Sequence, residues 1–180
     1  MSALRVAAVL AFVLALVVVA SGCLAGAAQA PEAGGPPFRP DAFFLGETRG
    51  FGTIQIRGQR PRVLQVASTG VALSDSTFRL DQSIRLGGQA PTERTWTMTA
   101  TAPEVWAGTL SDADGETTAT LEGSVLRIRY HIGRFTTMDQ RLTLEPDGRA
   151  ALNLATVRFL GLPVARIVER IRRVDTSGDA

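Results

Sequence analysis

The sequence contains no lysine; all 19 of its basic residues are arginine. Schiff-base chemistry is therefore excluded anywhere in these 180 residues. There is one histidine, His131, and one cysteine, Cys23. A zinc centre built from Cys and His normally takes about four ligands, so no such centre can be assembled. A lone cysteine also rules out a disulfide within the chain. The 19 arginines face 17 acidic residues, and a chain beginning at Cys23 loses Arg5 alone. No basic excess exists to grip a phosphate backbone, which argues against nucleic acid as a partner. A membrane-spanning helix needs roughly 20 consecutive apolar residues. The longest such run here, Val6 to Ala20, has 15. No cofactor is indicated, and no catalytic residue stands out.

What is present begins with an address. The amino terminus and Arg5 form a short positive region ahead of the 15-residue apolar run, the proportions of a secretory signal. Ala20-Ser21-Gly22-Cys23 follows. Small residues directly before a lone Cys resemble a bacterial lipobox, although Leu is commoner where Ala20 stands. On that reading residues 1–22 are a cleaved signal peptide. Cys23 becomes the acylated first residue, carrying a diacylglyceryl group and a further chain such as palmitate. Acyl chains contribute about 0.8 kcal/mol per buried methylene, and several on one residue anchor stably. The expected place is the bacterial cell envelope, on the periplasmic face of the outer membrane if two membranes are present, since Leu24 is not acidic. Plain secretion is the alternative. Its A-x-A site, Ala28-Gln29-Ala30, is followed by Pro31, which disfavours cleavage; a cut after Gly22 by the ordinary peptidase also remains open.

Residues 23–42 read as a disordered tether, because an Ala/Gly/Pro-rich stretch buries too little to fold. Residues 43–175 then carry period-two alternation, and residues 176–180 a short tail. Nine runs show the alternation: around Ile54, Leu64, Phe78 to Ile84, Trp96 to Ala100, Trp106 to Leu110, Ala119 to Gly123, Leu126 to Ile132, Leu142 and Leu152. Turn signals separate them at Thr69-Gly70, Gly87-Gly88, Ala113-Asp114-Gly115, Gly123-Ser124 and Asp147-Gly148. The expectation is an all-β antiparallel sheet of about nine strands, a sandwich or an up-and-down barrel. Closure into a barrel removes exposed edges. The end of the chain is ambiguous. Val164, Ile167, Val168 and Ile171 have helical spacing over residues 161–174, whereas a strand would turn Ala165, Ile167 and Ile171 inward.

The order and spacing of several short motifs carry a resemblance. They are Phe44-x-Gly46 before Gly50-x-Gly52, Arg94-Thr95-Trp96, Trp106-x-Gly108, Leu126-Arg127-Ile128-Arg129-Tyr130, Asp147-Gly148, Asn153 and Gly161-x-x-x-Ala165. Over roughly residues 43–174 the chain is similar to the small bacterial lipoproteins catalogued as domain of unknown function 3833. The resemblance implies a lipocalin-like β-barrel whose last segment is a strand. It brings no activity. Members often occur beside fatty-acid-modifying enzymes, a hint of lipid and no more.

Few constellations of side chains suggest chemistry. His131 lacks any G-x-S-x-G partner and reads as a surface imidazole. Asp112, Asp114 and Glu116 offer too few oxygens for calcium and read as a solvated hairpin. Arg166, Arg170, Arg172 and Arg173 could touch anionic lipid near a bilayer or form a solvated face. Trp96, Met98, Trp106 and Tyr130 should share the apolar face, which in a barrel points inward. They either fill the core or line a pocket for a small apolar ligand. Arg94 has the parity of Trp96; near the mouth it could pair with a carboxylate or phosphate headgroup, or stand at a strand end in water. Three readings follow: a lipid-anchored binding module for a fatty acid or other apolar ligand, an envelope interaction protein with a filled barrel, and a lipid-modifying enzyme using Arg94 or Tyr130. Oligomeric state is not legible.

Overall fold

The computed structural model describes residues 35–174. Ten antiparallel strands close into a single up-and-down barrel: β1 (Gly46–Ile56), β2 (Arg62–Ala72), β3 (Thr77–Leu86), β4 (Thr92–Ala102), β5 (Val105–Leu110), β6 (Asp114–Glu122), β7 (Val125–Ile132), β8 (Thr136–Leu144), β9 (Ala150–Phe159) and β10 (Leu162–Arg173). Each strand pairs with its neighbours in sequence, and β10 closes the ring against β1, with Ile171 opposite Gly50 and Ile167 opposite Ile54. The nine alternating runs are β1 to β9; the tenth strand is the ambiguous tail.

That tail corrects the helical spacing over residues 161–174. Val164, Ile167, Val168 and Ile171 are β-branched, which fits a pleated surface better than a helix. As β10 the segment also fills the gap between β9 and β1, and a helix there would leave two edges unpaired. Ala165, Ile167, Glu169 and Ile171 turn inward. Pro163 sits next to a register shift at the strand's start, where a missing N–H does least harm.

The expected tether extended too far along the chain. Phe38 is 2% exposed and its N–H donates to the Gly123 carbonyl. A single helical turn, α1 (Pro40–Phe43), follows, with Pro40 in the first turn where no N–H is needed. Phe38, Phe43 and Phe44 pack on one another with ring centroids 5.0–6.3 Å apart, and Phe44 stacks on Phe78. These rings stopper the end of the barrel where β1 begins. The opposite end, ringed by the β1–β2, β3–β4, β5–β6, β7–β8 and β9–β10 hairpins, is the mouth.

Two local readings also change. Thr69-Gly70 is not a turn: β2 continues to Ala72, and Gly70 is there because a Cβ would collide with the Phe44 carbonyl of the stopper. In β9 the inward residues are Ala151, Asn153, Ala155 and Val157, while Leu152 and Leu154 face outward. Ala165 on β10 lines the interior, and Gly50 and Gly52 on β1 let the Glu169 side chain and the β10 backbone pack closely against β1.

The β9–β10 hairpin is a two-residue turn with positive φ at both centres, Leu160 at 49° and Gly161 at 81°. Left-handed backbone costs an ordinary L-residue about 1–2 kcal/mol, and Leu160 is 64% exposed, so no burial offsets that cost. Leu160→Asn, the residue such turns favour, should raise the unfolding free energy by about 0.5–1 kcal/mol, read from the urea midpoint at unchanged slope.

Candidate functional site: a stoppered cavity with a polar wall

The interior is hollow. A cavity of about 560 Å³ runs up the barrel from the stopper, lined chiefly by apolar side chains from all around the ring. That volume lies within the roughly 300–1,000 Å³ typical of small-molecule sites. Stiff aliphatics such as Ile54, Leu64, Ile84, Ile128 and Ile167 form most of its surface.

The five residues singled out from the sequence all turn inward and are not equivalent. Trp106 sits low, edge-on to Phe78 at 5.5 Å, and belongs to the floor. Met98 pairs across the sheet with Phe78 and Gly108 at the same level. Trp96 and Tyr130 meet edge-to-face at 5.5 Å higher up, and the Arg94 guanidinium carbon lies 6.0 Å from the Trp96 ring. Cys23 lies outside the described residues.

Arg94 is not a strand-end group in water but is held inside the barrel by neighbouring side chains. Its Nε and Nη2 both donate to Asp112 Oδ2, at 3.0 and 2.6 Å, and Nη1 donates to the Tyr130 hydroxyl at 3.3 Å. Asp112 stays in the β5–β6 turn, but its carboxylate is partly buried and joins the cavity lining. Gln140 also donates to the Tyr130 oxygen, at 3.2 Å. Beside this cluster, Trp96 Nε1 donates to Gln82 Oε1 at 2.6 Å, and Gln82 donates to Ser68. Desolvation works against the Arg94 charge, but Tyr130 and Asp112 beside it more than offset this, so its pKa is raised. Burial raises the Tyr130 phenol, and Asp112 adds to the effect against the pull of Arg94. The pair is thus a fixed ion pair roofed by a neutral phenol.

A second polar group faces it from the far side of the ring. Glu169 on β10 is 5% exposed, and Asn153 on β9 donates to its Oε2 at 3.0 Å. Gly50 and Gly52 sit across from it on β1; a Cβ at Gly50 would overlap the Glu169 carboxylate itself. Burial pushes the Glu169 carboxyl above its usual range, against the weaker pull of Asn153 and Arg94.

Sequence reasoning missed Gln82, Asp112, Gln140, Asn153 and Glu169. A signal for Glu169 existed, since any strand that turns Ala165, Ile167 and Ile171 inward also turns residue 169 inward. None existed for Asp112, whose partner lies 18 residues away across a hairpin.

Other candidates stay outside the cavity. His131 is on the outer surface, its Nδ1 3.4 Å from the Thr137 hydroxyl. Arg170 is held by Glu145 through two hydrogen bonds of 2.6 and 2.5 Å. Arg170, Arg172 and Arg173 stand within the last four residues of β10, and Arg166 lies further back on the same strand. Among the described residues no three His, Cys, Asp or Glu side chains are placed to hold a metal. No described helix is long and apolar enough to cross a membrane.

The fold and sequence together define a lipocalin-like β-barrel. The chain belongs to the family described as Protein of unknown function (DUF3833), whose model matches residues 17–173. Solved structures show the same barrel at low identity. An S-type phycobiliprotein lyase, CPES from Guillardia theta, has a TM-score of 0.62 at 7% identity, over 76% of this chain and 92% of that one. Rv2717c from M. tuberculosis has a TM-score of 0.59 at 14% identity, over 76% of this chain and 98% of its own. A protein of the DUF3598 family from Nostoc punctiforme has a TM-score of 0.53 at 16% identity, over 82% and 53%. No curated protein matches the sequence.

The Glu169 carboxyl carries a pH signature. Its raised pKa means the folded state holds a proton that the unfolded state releases first, so its contribution to stability is present at low pH and lost as pH rises through the folded value. Glu169→Gln should flatten the decline of stability above the ordinary carboxylate range, measured as thermal midpoints across mildly acidic to alkaline buffers.

Proposed function

We propose that this protein is a lipid-anchored binding module of the bacterial envelope that holds one elongated, mainly apolar molecule inside its barrel. The observation that carries this reading is the hollow itself. A closed barrel of this size can fill with side chains; this one keeps about 560 Å³ open above an aromatic stopper. A barrel built only as a scaffold gains nothing from such a hollow, because an unfilled core costs stability. A fatty acid or another long-chain lipid fits the apolar lining. Trp96, Met98 and the surrounding aliphatics take the chain, and the Arg94, Tyr130 and Gln140 wall meets a polar group. The filled-barrel interaction protein has no comparable support.

Native mass spectrometry of residues 24–180, prepared gently from cells, should show a bound lipid that departs on denaturation. Ile128→Trp, which places a large ring inside the cavity, should abolish the extra mass and weaken binding of a fluorescent lipid by about tenfold or more, while circular dichroism stays that of a β-barrel. A bare polypeptide mass, unchanged after incubation with cell lipids, would defeat the reading.

The anchor is the second half of the proposal. Residues 1–22 act as the signal peptide, Cys23 takes the acyl chains, and the stretch up to the stopper is the tether. The membrane is thus a partner through lipid. In cells fed an alkyne-bearing palmitate, the protein should label and sediment with membranes, and Cys23→Ser should do neither.

A further inference from the structure

Resting on the cavity reading above, we propose that the interior selects uncharged long-chain molecules, such as alcohols, esters or acylglycerols bearing a hydroxyl or carbonyl, over the carboxylate form of fatty acids. The charges that line the cavity carry the argument. They are Arg57, Arg94, Asp112 and Glu169. Arg57 is exposed at the mouth, where water and salt screen it. The cation inside is Arg94, whose charge is already paired: Nε and Nη2 donate to Asp112 Oδ2, and Nη1 donates to the Tyr130 hydroxyl. The carboxyl facing it across the ring, Glu169, can add negative charge and never positive. The interior therefore has no surplus positive charge to receive an anionic head.

A carboxylate drawn inside would have to displace Asp112 from Arg94 or remain unpaired in an apolar chamber. The first strands the Asp112 charge, whose Oδ1 is already buried without a partner. The second leaves the head's own charge stranded, which costs several kcal/mol. An uncharged hydroxyl or carbonyl meets neither obstacle. The Gln140 and Gln82 amides line the cavity as hydrogen-bonding groups, with the buried Tyr130 hydroxyl behind Gln140. Asn153 and the Glu169 carboxyl offer more across the ring.

The test is displacement of a neutral fluorescent probe from residues 24–180 by two ligands of one chain length, dodecanol and laurate, at a mildly alkaline pH where laurate is ionised. Dodecanol should displace the probe at a concentration lower by about tenfold or more. Asp112→Asn frees the Arg94 charge and should improve laurate relative to dodecanol by at least about tenfold. Should that variant fold poorly, Arg94→Met combined with Asp112→Leu removes both charges together and should keep the preference for dodecanol. Laurate binding as tightly as dodecanol to the unaltered protein would overturn the proposal and leave the cavity reading standing. So would an Asp112→Asn variant that is folded and shows the original preference. Failure of the probe and both ligands to bind at all would overturn the cavity reading, and this inference with it.

Discussion

Closure of the ring by β10 is the constraint on which everything else depends. A ten-stranded antiparallel sheet left open would expose two long edges and the whole of one apolar face. The register of β10 against β1 and β9 pairs both edges. It also turns that apolar face into an interior. Once the ring is closed, the parity of each strand decides which side chains are inside. Arg94 and Glu169 come inside along with the aliphatics, because position in a strand outranks chemistry at those sites. The charges are tolerated where they stand because Arg94 finds Asp112, while Glu169 accepts from Asn153 and burial raises its pKa.

Closure alone would make a barrel, and the hollow needs two further devices. One is the stopper. Phe38, Phe43 and Phe44 occupy the end where β1 begins and close it, and they join a core that continues round the ring through residues such as Leu80, Trp96, Tyr130 and Val157. The other is the presence of small residues, Ala119 and Ala165, among the aliphatics that line the cavity. A chamber results, apolar over most of its surface, with paired polar groups on opposite walls near the middle of the barrel. Such a chamber discriminates by shape and by the absence of free charge.

Much of this was legible along the chain. Period-two alternation located β1 to β9, and Asp147-Gly148 and Gly87-Gly88 marked real turns with positive φ at Gly148 and Gly87. Parity placed Arg94, Trp96, Met98, Trp106 and Tyr130 on one face. The last strand was not legible from spacing, because Val164, Ile167, Val168 and Ile171 satisfy helix and strand periods alike over so short a run. Phe38 and its neighbours were hidden by the Pro and Gly around them, a composition that ordinarily marks a linker. Here three rings find a hydrophobic end to bury against, and that end exists only once the ring has closed.

The sequence by itself determined the strand pattern, the apolar face, the near-neutral charge and the signature around Cys23. These are local or periodic properties, readable in order along the chain. Only the tertiary structure decided that the interior is hollow and that Arg94 is already occupied. Volume is a balance between residues facing one another from opposite walls, and a charge is free or spent according to a partner that another strand brings. Asp112 is 18 residues from Arg94 in sequence and 2.6 Å away in space, and no periodicity encodes that distance.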